Sequence, residues 1–172
     1  QSRPEDWLSL KRGISYWTQQ PHSIYLLGNP FVWWPASFLF IGFALYVVVL
    51  LFRLNFGYSV SFNAETFTFS YAALEFLLGW FLHYFPFFIM GRQLFLHHYF
   101  PALYFGILAL GHVFELIYTS FKTKKMAAYI LFGMIFSASL WSFFQRLPIA
   151  EGSKWTKEAC QKSKWLEMGL RL

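Results

Sequence analysis

The stretch His83-Tyr84-Phe85-Pro86-Phe87-Phe88-Ile89-Met90-Gly91-Arg92-Gln93-Leu94-Phe95-Leu96-His97-His98-Tyr99-Phe100-Pro101-Ala102 decides how this chain is built. It places an arginine, a glutamine and a histidine pair in a short connection between two segments that otherwise read as lipid-soluble. A guanidinium this close to hydrocarbon is costly unless an anionic or dipolar partner holds it. The connection from Gly91 to Tyr99 therefore reads as a hinge at a membrane surface, with a helix on either side.

Working outward, four runs with few or no charges are long enough to span a bilayer. They are Pro35 to Phe52, Tyr71 to Met90, Pro101 to Tyr118 and Met126 to Phe144, each of 18 to 20 residues. A hydrocarbon core of about 30 Å needs roughly 20 residues at 1.5 Å each. Proline opens the first and third runs, where a helix misses no donor. Pro86 lies inside the second run and should kink it, aiming its last turn and the Arg92 hinge at an angle.

Composition agrees with this reading. Of 172 residues, 57% are hydrophobic and 13% charged, with 23 Phe, 10 Tyr and 8 Trp. A soluble domain carries about 25% charged residues. The expected fold class is all-α: a polytopic membrane protein with four transmembrane helices. The single cysteine, Cys160, excludes a disulfide within the chain. The net charge of +6 comes from basic residues in the end segments and turns, as lipid headgroups favour. Basic residues do not interleave with aromatics in the pattern that nucleic acid would require.

Residues 1–28 mix Arg3, Lys11 and Arg12 with Glu5 and Asp6 around Trp7 and Trp17. Residues 146–172 hold Lys154, Trp155, Lys157, Lys162, Lys164, Trp165 and Arg171, with Ser153 placed to cap a short helix. Both ends suit the membrane interface. The chain starts at Gln1 without a signal-peptide pattern, and the expectation is a piece of something longer.

Four crossings put both ends and the Arg92 hinge on one side. Arg53 and the Lys122, Lys124 and Lys125 turn lie on the other. Among the short loops the cations number four on that second side against one at the hinge, which places the lysine turn in the cytoplasm. Counting both ends reverses this to ten against four. The short loops are given the greater weight, so the hinge is expected on the non-cytoplasmic side.

Arg92 presents a planar fork suited to phosphate, and Gln93, His97, His98 and Tyr99 add further donors. At the mouth of a helix pair this set fits a lipid-linked phosphate whose tail lies along aromatic helices. The plainer alternative is that Arg92 snorkels to ordinary headgroups and the histidines are interfacial polar residues. A metal or haem site is disfavoured, because His97 and His98 point about 100° apart on a helix. No acid or cysteine stands near them to complete a metal shell. His83 and His112 differ in depth, so a shared haem plane is awkward. Glu75 and Glu115 both lie toward the end opposite Arg92, and His112 can pair with Glu115 at i,i+3. A transfer reaction at the hinge needs a base within about 3 Å of the acceptor, and no buried carboxylate here is on that face. A base would come from elsewhere or from His97 or His98, although a hydroxyl acceptor with a sugar-phosphate donor more commonly uses Asp or Glu, and no catalytic residue is assigned within this chain. Gly28-Asn29-Pro30 before Trp33-Trp34-Pro35 reads as a turn into an aromatic belt.

Gly28-Asn29-Pro30, Trp33-Trp34, Gly79-Trp80, His83 to Phe88, Arg92, and His97-His98-Tyr99-Phe100-Pro101-Ala102-Leu103-Tyr104-Phe105 together resemble the protein O-mannosyltransferases. These are the dolichyl-phosphate-mannose–protein mannosyltransferases of the endoplasmic reticulum. The similarity runs from about Trp7 to the final segment and is to that family's carboxy-terminal four-helix membrane module. Gly91 to His98 hints at the homodimeric rather than the heterodimeric subfamily.

The resemblance implies inverting transfer of mannose from dolichyl phosphate mannose to Ser or Thr hydroxyls of secretory polypeptides, with no separate cofactor. It implies the carboxy-terminal part of a GT-C scaffold, with the catalytic acidic residue and a MIR β-trefoil upstream of these residues. It also implies a family partner in a dimer, with the Arg92 hinge and both ends in the lumen. The expected divisions are a lumenal or interfacial lead-in at 1–34, the four-helix module at 35–145 and an interfacial tail at 146–172. Arg92 is assigned to the donor phosphate, with Gln93, His97, His98 and Tyr99 at the lumenal mouth. The alternative functions are a non-enzymatic four-helix scaffold subunit and a haem-binding electron carrier.

Overall fold

The computed structural model describes residues 2–19, 22–58, 64–120 and 125–153. Five helices and one hairpin follow in the order α1 (Pro4–Trp7), β1 (Ile14–Gln19), β2 (His22–Leu26), α2 (Pro30–Asn55), α3 (Ala64–Tyr84), α4 (Phe100–Ser120) and α5 (Lys125–Ala150). The four long helices correspond to the four apolar runs. Among the described residues one of them, α5, is long and apolar enough by length and composition to cross a membrane, with a mean hydropathy of 1.7. α4 packs between α2 and α3, and α5 packs on α2 and α4.

The boundaries follow local chemistry. α2 begins at Pro30 rather than Pro35, because Asn29 caps it by accepting the Phe31 N–H at 3.1 Å. The division drawn at residue 34 thus falls inside a helix, and Trp33, Trp34 and Pro35 are helical. Pro86 does not kink a continuing helix. α3 stops at Tyr84, and Phe85–Phe88 form a 3₁₀ turn closed by Ile89 N–H to the Pro86 carbonyl at 3.2 Å. A proline two residues on has no N–H for the ladder and crowds the preceding turn. α4 carries Pro101 in its first turn, where no donor is lost.

The structure departs from an all-α chain at residues 14–26. There β1 and β2 pair antiparallel, Ile14 opposite Leu26 and Gln19 opposite His22, with a register shift between Ser15 and Trp17. The division at residue 146 also moves, because α5 runs on to Ala150. It ends in a Schellman turn: Ser153 N–H reaches the Pro148 carbonyl at 2.9 Å, and Gly152 takes the positive φ of 75° that the turn needs. The capping helix expected from Ser153, the remaining tail with Cys160, and Lys122 and Lys124 of the basic turn lie outside the described residues.

Burial is concentrated at one end. Trp7, Leu10, Trp33, Tyr84, Leu94, Leu96, Tyr99 and Ala102 form one buried cluster, drawn from the first residues, the starts of α2 and α4 and the end of α3. Along the rest of the bundle large apolar side chains stand outside, among them Leu45, Leu51, Phe52, Leu78, Tyr104, Met134 and Phe144. So much apolar surface is unstable against water and calls for lipid or further protein around it. The helices themselves meet closely at one point. A Cβ on Gly79 of α3 would lie 2.5 Å from the Phe105 ring of α4, so that crossing admits only glycine without a shift.

Candidate functional site

The site is built at the buried end, where α3 stops and α4 starts. After the Phe85–Phe88 turn the chain passes through Ile89 to Phe95 and enters a second 3₁₀ turn, Leu96–Tyr99, which leads directly into α4. Phe95 is extended, with φ −138° and ψ 158°. The His98 ring closes the turn onto it. In one tautomer its Nδ1 accepts the Phe95 N–H at 3.1 Å; in the other it donates to the Phe95 carbonyl at 2.9 Å.

The amino-terminal residues hold this loop from the other side. Ser2 N–H donates to the Leu94 carbonyl at 2.9 Å, and Tyr84 OH donates to the Pro4 carbonyl at 2.9 Å. Trp7 is fully buried; its Nε1 donates to Ser2 Oγ at 2.9 Å and its carbonyl accepts Trp33 Nε1 at 2.7 Å. Its ring packs against Tyr84, Phe87, His98 and Tyr99. Leu10 follows in the left-handed region, at φ 55°, with its side chain fully buried beside Gly28 and Trp33. A bulky residue there is strained by roughly 1–2 kcal/mol, which its burial offsets. Trp7 thus lies at the centre of the buried cluster.

The expected site residues separate into three groups. Arg92 and Gln93 are exposed on the loop, and among the described residues no carboxylate pairs with Arg92. His97 and His98 are half-buried and stacked, with ring centroids 4.4 Å apart. Phe95 stacks on His97, and Trp7 lies parallel to His98 at 6.3 Å, so the pair sits within a column of rings. His97 Nδ1 is buried without a partner. Burial pushes His97 below the usual imidazole range, and the adjacent His98 adds to the effect. Tyr99 is fully buried and lines no mouth. Its hydroxyl accepts Trp80 Nε1 at 3.1 Å and is hydrogen-bonded to the Ser37 hydroxyl at 2.8 Å, tying α2, α3 and the start of α4 together. Burial raises its phenol above the ordinary range, and those two hydrogen bonds oppose the rise.

Glu5 and Asp6 belong to α1, which packs on the loop, whereas the ionisable residues of the long helices lie away from it. Glu75 is nine residues before Tyr84 and Glu115 fifteen after Phe100, about 14 and 22 Å along their helices. Glu115 Oε2 lies 3.6 Å from His112 Nδ1, the i,i+3 pair expected from the sequence. His83 Nδ1 donates to the Gly79 carbonyl at 2.7 Å and its ring meets Phe105. His112 instead packs on Phe76, about two turns from His83 along α3. The structure therefore does not bring these two histidines to one level.

One residue was not singled out in the sequence. Arg146, in the last turns of α5, is buried, and its Nη1 bonds Ser142 Oγ while Nε and Nη2 have no partner. In the sequence it looks like the first cation of a basic tail. Its i,i+4 spacing from Ser142 on an otherwise apolar helix was the available signal.

Residues 1–168 match the family described as the C-terminal four TMM region of protein-O-mannosyltransferase. The chain belongs to that family. Dolichyl-phosphate-mannose–protein mannosyltransferase 1 of Candida albicans is 46% identical over 95% of this chain and 19% of its own length. Its Saccharomyces cerevisiae counterpart is 44% identical over 96% of this chain and 20% of its own. The chain thus spans about a fifth of the length of these relatives. A solved structure of the S. cerevisiae Pmt1–Pmt2 complex bound to the sugar donor superposes with a TM-score of 0.87 at 43% identity. The superposition covers 97% of this chain and 23% of the solved one.

Proposed function

We propose that this chain is the lumenally oriented membrane module of an enzyme that moves mannose from dolichyl phosphate mannose to Ser or Thr hydroxyls of secretory polypeptides. The observation that carries the reading is a fold match of 0.87 at 43% identity, over nearly the whole chain, to a complex bound to a sugar donor. In this reading α2, α3, α4 and α5 all cross the endoplasmic reticulum membrane as part of a GT-C scaffold. The exposed apolar faces meet lipid and the remainder of the enzyme, including its MIR domain and a second family member. The loop at Arg92 faces the lumen.

In the reaction an acceptor oxygen attacks the anomeric carbon of mannose, the bond from that carbon to the phosphate oxygen breaks, and dolichyl phosphate leaves. The acceptor proton passes to a carboxylate. Glu75 and Glu115 stand at the wrong end to take it, and the family resemblance places the base in another part of the enzyme. Arg92, exposed and free of any described carboxylate, supplies positive charge near the donor phosphate. Gln93, His97 and His98 shape the same surface, and Tyr99 holds it in place from beneath.

The test is Arg92→Ala in the complete enzyme, assayed for mannosyl transfer with a melting temperature measured alongside. The expected result is transfer reduced about 10²-fold or more with melting within a degree or two, as for loss of one charge-stabilising group. Wild-type turnover would remove Arg92 from the donor site.

The alternative is a non-enzymatic scaffold module, favoured by the Tyr99 hydroxyl that ties α2, α3 and the start of α4 together. That role predicts parallel losses of transfer and assembly for every substitution in the loop.

A further inference from the structure

We propose that Arg146 is the attachment point for a phosphate group that enters the seam between α5 and residues 22–29. The seam is defined by two hydrogen bonds. His22 Nδ1 donates to the Gly152 carbonyl at 2.9 Å, and Asn29 Nδ2 donates to the Ser139 carbonyl at 2.8 Å. Thirteen helical residues span about 20 Å, and seven extended residues reach about 23 Å. Residues 22–29 therefore run antiparallel alongside α5, with Arg146 midway between the two anchors.

The guanidinium in this seam is not satisfied. Ser142, Arg146 and Ile149 form the buried stripe of the last turns of α5, and Nε and Nη2 of Arg146 are closed off without a partner. An arginine cannot shed its charge in a protein, so two donors and a full positive charge are held away from water. Removing an uncompensated buried charge from solvent is strongly destabilising, and an anion supplied from outside reverses that cost.

Several features select phosphate. Among the described residues the one ion pair is His112 with Glu115, so no described carboxylate serves Arg146. Nε and Nη2 form one edge of the guanidinium fork, the edge that takes two phosphate oxygens at once. The seam lies at the end of α5 that packs on the hairpin. That is the level where a helix of this hydropathy meets headgroups. The site is additional to Arg92, which is exposed on a different loop, and it does not require that the chain serve a mannosyltransferase. A phospholipid, a polyprenyl phosphate and free phosphate all present the same chemistry to Arg146.

The test uses the complete enzyme containing this chain, purified in detergent and stripped of lipid. Inorganic phosphate, a short-chain phosphatidic acid and a short-chain polyprenyl phosphate are titrated separately, with melting temperature as readout. Native mass spectrometry counts phosphorylated lipids retained before stripping. The wild type is expected to melt higher with at least one of the three, and the responding probe identifies the carrier. Arg146→Met should weaken that response at least tenfold, and Arg146→Lys, a point charge without the fork, should fall between. A wild type that responds to none and retains no phosphorylated lipid overturns the proposal even if Arg146→Met fails to fold. Equal responses in wild type and Arg146→Met overturn it too, as does restoration of Arg146→Glu by an acid-to-arginine change elsewhere in the enzyme. Mannosyl transfer is not a readout, so failure here leaves the proposed function standing.

Discussion

Removing a single hydroxyl, in Tyr99→Phe, tests the core at the loop. The ring stays and keeps its contacts with Trp7, Trp33 and Tyr84, so the change isolates the bonds to Ser37 and Trp80. Each is worth about 1 kcal/mol net, and an orphaned buried partner costs about 1–3 kcal/mol. Ser37 lies in α2 and can turn its hydroxyl to the carbonyl four residues back, which spares it. Trp80 Nε1, half-buried, loses the Tyr99 hydroxyl as its acceptor. The expected destabilisation is about 2 kcal/mol, roughly a thirtyfold shift toward the open or unfolded state. Thermal melting and hydrogen exchange of residues 94–99 in the purified complete enzyme would measure it. The Ser37→Ala, Tyr99→Phe double-mutant cycle should give a coupling of about 1 kcal/mol. A loss below about 0.5 kcal/mol together with zero coupling would refute the idea that this hydroxyl ties three helices together.

Trp7→Ala should cost about 3–5 kcal/mol and free the first thirteen residues to proteolysis, whereas Trp7→Phe should cost far less. Limited digestion followed by mass mapping separates the two. Gly79→Ala drives a methyl into the Phe105 ring and should cost about 1–3 kcal/mol in melting experiments, with Phe105→Leu in the same chain recovering part of the loss. His97 has a folded pKa below its unfolded value of 6.5, so the neutral ring is the form the fold favours. The associated stability is full above pH 6.5 and declines as pH falls through that value toward the lower folded one. Melting between pH 7.5 and pH 5 should show this slope, and His97→Gln should flatten it.

The helices were legible because an uninterrupted apolar run of membrane length leaves the backbone few other ways to satisfy its hydrogen bonds. Their ends were less so. The Asn29 cap and the stop at Tyr84 are matters of one or two residues that hydropathy does not resolve. Residues 14–26 gave no strand signal because β1 is largely exposed on both faces, and apolar-polar alternation appears only where one face is buried. The inward packing of Trp7 and Arg146 was not legible for a related reason. Aromatic and basic residues in terminal segments look alike whether they face headgroups or fold inward. What decides between these is contact across long separations, such as Tyr84 OH to the Pro4 carbonyl, eighty residues apart. At the loop, exposed Arg92 was legible from its neighbours. Tyr99 was not, since the groups that claim its hydroxyl come from two other helices.

The plug formed by Ser2 to Leu10 also sets an order of events during biosynthesis. Its docking site consists of Tyr84, Leu94 and the turn before α4, none of which has been translated when the plug itself leaves the ribosome. The first residues must therefore wait, with Trp7 exposed, until some ninety more have been synthesised. For that interval they are an open target for chaperones, and closure of the plug marks the moment when the α3–α4 pair has formed.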